Sequence, residues 1–253
     1  MKLVTWNVNS LNARLPRVLE LLEAHAPDVA CLQETKCDAA AFPEAELGAA
    51  GYAAVHHSAG RWAGVAILVR SALDAAEPSY GLPGEAAQDE ARWVEATIDG
   101  LRVASAYVPN GRSPDSPSFA EKLRFLEAMA ERAPALDVVM GDMNVCPTDL
   151  DVYDPAQFVG ETHVTPEERE RLAAVLDAGG LVDAYHHLHP GEPGFTWWDY
   201  RQGHFHRGMG LRIDLALVRP PVAERVRACG IDRDFRKGPK PSDHAPLLVE
   251  LDG

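Results

Sequence analysis

The sequence lacks most of the features that announce a protein class. Its four cysteines, Cys31, Cys37, Cys146 and Cys229, form no CxxC pair and no zinc spacing, so neither a dithiol redox motif nor a structural zinc site is expected. The start, "MKLVTWNVNS", reaches a polar Asn before any apolar core of signal-peptide length. Scattered cysteines in such a chain read as reduced thiols, and the expected location is cytoplasmic. No stretch approaches the roughly 20 apolar residues of a membrane span, so no membrane partner is expected. There is no GxxxxGK[ST] to cradle a nucleoside triphosphate, and no GxSxG to present Ser105 or Ser242 as a nucleophile. Internal repeats, low-complexity tracts and linkers are missing too, which favours one domain over residues 1–253.

Positive charge is also scarce. Lys and Arg number 24 against 38 Asp and Glu, a formal charge of −14 that at first argues against a polyanionic partner. The deficit is uneven, however. Residues 201–240 hold ten Arg or Lys, Arg212 among them, against four acids, so that segment is net +6 and the remainder −20. A local basic patch is compatible with phosphate contact, because binding responds to the local field; a solvated charged stretch is the plainer alternative.

What is present is a series of short apolar, β-branched runs: 2–8, 28–34, 64–70, 92–98, 101–108, 136–142, 212–218 and 245–251. Some alternate apolar with polar, as half-buried strands do, and others are continuous, as buried strands are. "DG" between 92–98 and 101–108 signals a hairpin. Helical periodicity covers 15–26, 116–133 with Phe119, Leu123, Leu126 and Ala130 as its stripe, and 165–180, which opens on Thr-Pro and acids and closes on Gly-Gly. Pro-rich joints at 78–83, 109–117 and 239–246 read as loops. Strands mixed with helices and hairpins predict a mixed α/β protein of two sheets.

The polar residues needing explanation sit where these runs stop. "VVMGDMNVCPTDLD" leaves an apolar run with Asp142 and Asn144 two apart, which in extended chain point the same way. A Gly-Asp turn bonding its own backbone would account for them equally well. Run 2–8 ends with Asn7 and Asn9, run 28–34 with Glu34, and run 101–108 with Tyr107 and Asn110. Asp214 opens the strand after Arg212, and Asp243–His244 precede the last strand. Singly, Glu34 could be a surface acid, Asn7 a turn residue, Asp243 a cap and His244 a core histidine. Jointly they form an inventory of carboxylates and carboxamides that suits Mg²⁺ or Mn²⁺ and not zinc. An Asp–His pair supplies an oriented imidazole, and Asn, Tyr and His can donate to phosphate oxygens as charge builds.

These segments resemble the endonuclease/exonuclease/phosphatase superfamily, and within it the exonuclease III branch of abasic-site (AP) endonucleases. The likeness runs through "WNVNSL", "PDVACLQETK", "YVPNG", "MGDMNVCPTDLD", "EERERL", "GLVDAY", "FTWWDYR", "GLRIDLAL" and "PSDHAPLLVEL". It implies a four-layer α/β sandwich of deoxyribonuclease I type, two packed mixed β-sheets flanked by helices, with a metal site at one edge. Carried over by position, Glu34 resembles the principal Mg²⁺ ligand (Mn²⁺ as a substitute), with Asn7 beside it and Asp243 near the metal. Asp142 resembles the residue that aligns or activates water, supported by Asn144. His244 resembles the phosphate-binding imidazole held by Asp214, and Tyr107 and Asn110 the contacts to the scissile phosphate, with Lys36 close by. Trp197, Leu211 and Ile213 would line an apolar pocket for an extruded base-less sugar. The basic segment, including Arg212, would hold the DNA backbone.

The activity so implied is Mg²⁺-dependent cleavage 5′ to abasic sites, with 3′-to-5′ exonuclease and 3′-phosphatase activity on duplex DNA, by a monomer. A phosphatase for inositol phosphates or lipid headgroups on the same fold is the alternative, and a catalytically dead DNA-binding module a third reading. Asn9 stands where some members carry Asp, which argues against a second metal ligand there. "HHLH" (186–189) reads as a solvated loop.

Overall fold

A computed structural model describes residues 1–84 and 90–252. The first half runs β1 (Lys2–Asn7), α1 (Leu11–His25), β2 (Val29–Gln33), α2 (Glu44–Ala49), β3 (Tyr52–His57), β4 (Val65–Arg70), β5 (Ala75–Tyr80), β6 (Trp93–Ile98), β7 (Leu101–Tyr107) and α3 (Pro117–Arg132). The second runs β8 (Val138–Asp142), α4 (Pro166–Gly179), β9 (Val182–Asp183), α5 (Ala184–Leu188), α6 (His204–Arg207), β10 (Asp214–Val218), α7 (Pro220–Ala223), β11 (Val226–Ile231) and β12 (Leu247–Leu251). Two six-stranded sheets result, ordered β11-β12-β1-β2-β4-β3 and β5-β6-β7-β8-β10-β9. Both are mixed: β1 pairs with β2, and β7 with β8, in parallel, while the other neighbours are antiparallel.

Every run expected as a strand is one. The expected hairpin is β6–β7, turning on Asp99 and Gly100 with positive φ at both, as the Asp-Gly pair favours. The four strands the sequence did not suggest, β3, β5, β9 and β11, are the four sheet edges. Edge strands face solvent and need no apolar alternation: β5 is mostly exposed and carries Pro78.

Layering follows from the period of two. Val138 and Met140 of β8, Val103 of β7, Ala216 of β10, and Leu3 of β1 lie in the core between the sheets. Val139, Ala104, Leu215 and Leu217 face the other way, onto α3 and α4, while Val4 and Trp6 face α1. The helices are set by local chemistry. Ser116 caps α3 by accepting from the Phe119 amide, and Thr165 and Glu168 form a reciprocal capping box on α4. α1 begins four residues earlier than the periodicity suggests, burying Leu11, and continues through Pro16. The buried stripe of α3 also differs from the expected one: Lys122, not Leu123, is buried among Phe119, Phe125, Leu126 and Met129. No described helix is long and apolar enough to cross a membrane.

Candidate active site

The same period of two aims the polar strand ends at one place. Asn7 continues the parity of Leu3, Tyr107 that of Val103, Asp142 that of Met140 and Asp214 that of Ala216, so all four enter the space between the sheets just above its apolar core. Register brings them level, with Tyr107 opposite Asp142 and Asp142 opposite Asp214. Gly141 makes the β7–β8 approach possible, since a Cβ there would lie 1.9 Å from the Ala106 carbonyl oxygen. Past the strand ends the chain turns sharply. Asn9, Glu34, Lys36 and Asn144 have φ of 46°, 52°, 50° and 51°, conformations that non-glycine residues keep only when neighbours enforce them. Here the Ser10 amide donates to Glu34 O (2.7 Å), and those of Thr35 and Lys36 to Gly64 O and Ala63 O (3.1 and 2.8 Å).

Asn7 is the hub. Its Nδ2 donates to Glu34 Oε1 and to Asp142 Oδ2, both at 2.8 Å, while its Oδ1 accepts from the Asn9 amide at 3.0 Å, which fixes the orientation of the carboxamide. Asp142 Oδ1 accepts from the Asn144 amide at 3.0 Å. The Asn144 side chain donates to Val108 O at 2.9 Å and accepts from Asn110 Nδ2 at 3.2 Å. His244 Nδ1 is 2.8 Å from Asp214 Oδ2, and its Nε2 is 3.8 Å from Asp142 Oδ2. One ligand atom each of Glu34, Asp142 and His244 lies within 4.8 Å of the others.

Burial and charge set the protonation. Burial opposes an imidazolium at His244, but the Asp214 and Asp142 carboxylates beside it prevail and raise it to about 10. His244 is bonded through Nδ1 to Asp214, and the Glu34 and Asp142 carboxylates beside it supply hard oxygens of the kind that fits Mg²⁺ or Mn²⁺. Burial lifts Asp142 above the usual carboxylate range against the pull of His244. Burial also raises the Tyr107 hydroxyl, whose ring lies under the Arg92 guanidinium at 4.6 Å.

Asp243, expected near the metal, accepts from Asn9 Nδ2 at 3.0 Å and from Trp197 Nε1 at 3.1 Å, one bond to each carboxylate oxygen. Burial would raise its pKa, yet His244 and these two bonds hold it below the usual range. Lys36 Nζ sits 2.5 Å from Glu34 Oε2 and donates to Asn9 Oδ1 at 2.7 Å, which links Glu34 through Asn9 to Asp243 and Trp197.

Trp197, Leu211 and Ile213 do come together, in an apolar cluster with Cys146, Val152, Tyr153, Phe158 and Val164. Trp197 also bridges to the His244 main chain, which sets the cluster beside the polar site. Its neighbour Trp198 is wholly buried against Phe205 and is a core residue.

Arg212 departs from the expectation of a DNA contact. Its side chain has no exposed surface and pairs with Asp151 (2.6 Å) and Asp183 (2.8 Å), with His186 Nε2 at 2.9 Å from Nη2. His186 of the "HHLH" stretch is therefore on a short helix and tied into this network, and is not in a solvated loop. The basic segment disperses as well. Arg219 follows β10 at the end away from Asp214 and pairs with Asp137 at 3.7 Å, and Arg225 and Arg227 bind Asp252. Arg236 is buried against Ser242 O (2.7 Å), while Arg201 and Lys237 pair with Asp199 and Asp234. Closeness in sequence did not make a single ridge of charge.

Sequence reasoning also passed over the support behind the Asn110 and Asn144 loops. Lys122 and Glu168 form a fully buried ion pair there, and His163 Nδ1 lies 2.5 Å from Asn144 O. Burial drives the His163 imidazole down to about 4, with Lys122 adding to the effect, so it is neutral and donates to that carbonyl. The available signal was a lysine at an i, i+3 position of an apolar helical stripe, where lysine is almost never buried unless paired.

Residues 4–244 match the Endonuclease/Exonuclease/phosphatase family. The chain is 33% identical to exodeoxyribonuclease III of Haemophilus influenzae, over 99% of its own length and 100% of that protein's. It superposes on the 3′ phosphatase NExo from Neisseria, solved bound to a product DNA hairpin, with TM-score 0.96 and 38% identity over 100% of both chains. An AP endonuclease from Archaeoglobus fulgidus gives TM-score 0.94 and 36% identity, again over 100% of both.

Proposed function

The chain belongs to the endonuclease/exonuclease/phosphatase family, and we propose that it is a Mg²⁺-dependent hydrolase of DNA phosphoesters, with Mn²⁺ as a substitute. Its substrates are duplexes carrying abasic sites, cut on the 5′ side, and 3′ ends bearing nucleotides or phosphates. The observation that carries this reading is the convergence of Glu34, Asp142 and His244 within 4.8 Å beside the Trp197–Leu211–Ile213 cluster. A divalent cation held at the Glu34 carboxylate would supply Lewis-acid stabilisation of the phosphate when bound.

The protein's own groups account for the remaining steps. Asp142, raised above an ordinary carboxylate and fixed by Asn7 and the Asn144 amide, orients water and takes its proton. The water oxygen bonds to phosphorus as the P–O3′ bond breaks, and the departing O3′ takes a proton from solvent to become a 3′-hydroxyl. His244, kept protonated by Asp214, donates to a phosphate oxygen as charge accumulates, as do Tyr107 at the end of β7 and Asn110 on the loop after it. A sugar without its base leaves the helix at little cost, and Trp197, partly buried where Leu211 and Ile213 are buried, is the one of the three with surface to offer it. Relatives named as DNA enzymes at 33–38% identity favour DNA over inositol phosphates or lipid headgroups.

Duplexes containing an abasic site or a 3′-phosphate, incubated with Mg²⁺ and separately with EDTA, test the proposal. Cleavage of both, dependent on the metal, is expected; no product from either in Mg²⁺ rejects it. Asp142→Asn should abolish turnover while leaving DNA binding nearly intact, and a near-full rate would overturn the role given to Asp142.

A further inference from the structure

α3 carries a lysine on its packing face, and the lysine is wholly buried. An ammonium there is costly unless its protons are bonded and its charge is met. Lys122 Nζ contacts the Glu168 carboxylate and donates to Asn144 O at 2.6 Å, with Asn110 O and Thr162 Oγ1 each at 3.2 Å. These partners come from the loop after β7, the loop after β8, the stretch leading into α4, and α4 itself. Glu168 completes the set by accepting from Thr162 Oγ1 (2.7 Å) and from the His163 and Thr165 amides (2.9 and 3.0 Å).

Space has been kept for the lysine stem. Gly111 has φ +88°, and a Cβ on it would lie 3.0 Å from Lys122 Cδ and 3.0 Å from Thr162 Oγ1. The two carbonyls gripped by the ammonium belong to the two asparagines whose side chains meet at 3.2 Å in the site, and the Asn144 amide is the one that fixes Asp142. Stability alone does not explain the arrangement, because exchanging a buried ion pair for apolar side chains of similar volume is often neutral or favourable.

We propose that Lys122 is a positioning residue for phosphoester hydrolysis: neutralised by Glu168, it holds the Asn110 and Asn144 main chains from behind so that their amides and the Asp142 carboxylate face the scissile phosphate. The inference rests on the hydrolase reading above. It makes Lys122 act through other residues, since it has no surface from which to reach DNA.

The test compares wild type with the double variant Lys122→Met/Glu168→Gln, because Lys122→Met alone strands a buried carboxylate. The substrate is a duplex with a 3′-phosphate, in Mg²⁺. The double variant is expected to fold, to bind DNA in EDTA within threefold of wild type, and to lose about 10- to 100-fold in kcat, the scale of a small misplacement of reacting groups. Amide exchange over residues 108–112 and 142–146 should quicken. A folded double variant whose kcat stays within threefold of wild type overturns the proposal. A second measurement needs no variant: the Lys122 Nζ resonance of wild-type enzyme should shift when product DNA binds, and an unmoved resonance is equally fatal. Wild type that cleaves nothing defeats the hydrolase reading, whereas the ratio between the two proteins judges Lys122.

Discussion

Replacing Arg212 by Met separates a DNA contact from an interior strut. The guanidinium is the cation for two carboxylates, Asp151 with 0% and Asp183 with 8% of the side chain exposed. Removing it leaves both with only His186 beside them, and breaking a buried pair in this way costs about 3–5 kcal/mol. The Asp151 carboxyl reflects the same network. Burial pushes its carboxyl up, but His186 and Arg212 outweigh burial and bring it from 3.8 to about 2. That difference corresponds to about 2 kcal/mol of stability, to which His186 and Arg212 both contribute. Because the folded value lies below the unfolded one, the contribution is complete above about pH 4 and disappears as pH falls through about 2. In a domain of this size, 3–5 kcal/mol corresponds to a fall in Tm of roughly 6–20 °C. Urea unfolding at pH 7 measures the loss directly, and repeating it at pH 3 should show a smaller difference between variant and wild type. DNA affinity in EDTA against salt supplies the contrast: a lost phosphate contact would flatten the log–log slope by about one unit, whereas an interior residue leaves it unchanged. A flattened slope with a stability change below about 1 kcal/mol would refute the reasoning.

Three further outcomes are expected. Asp214→Asn removes the anion that holds His244 Nδ1, so the imidazolium pKa should fall from about 10 in an NMR titration of metal-free enzyme, and kcat should drop by about 10²-fold or more. An unchanged titration would break the link between the two residues. Glu34→Gln should weaken Mn²⁺ binding, read by calorimetry or electron paramagnetic resonance, by at least about tenfold, and affinity equal to wild type would move the cation elsewhere. Gly141→Ala forces a methyl to within 1.9 Å of the Ala106 carbonyl oxygen, so it should destabilise by more than about 1–3 kcal/mol, the usual range for overpacking, and a Tm within 2 °C of wild type contradicts that packing.

What the sequence disclosed and what it hid divide along a physical line. The eight strands it predicted are the interior strands of both sheets, each buried enough to need an apolar pattern, and the four it hid are the edges. Asn7, Tyr107, Asp142 and Asp214 were legible because a strand's period of two states where its last residue points, given where Leu3, Val103, Met140 and Ala216 go. The partnership of Asn7 with Asp142 spans 135 positions, yet each end could be placed separately from its own strand. Charge offered no such guide. Ten cations within forty residues looked like a patch, but a strand carries one end of its segment to the site and the other end away from it, so Arg219, Arg225 and Arg227 finish beside Asp137 and Asp252. Arg212 and Lys122 escaped for a different reason. Arg212 pairs with Asp151 and Asp183, two of 38 acids that nothing nearby singles out, and Lys122 bonds the carbonyls of Asn110 and Asn144. Every residue has a carbonyl, so no side-chain pattern marks the ones that are gripped. Side chains able to meet a phosphate or a cation are of particular types and therefore showed in the sequence, while the main chain they stand on is held by bonds that leave no mark there.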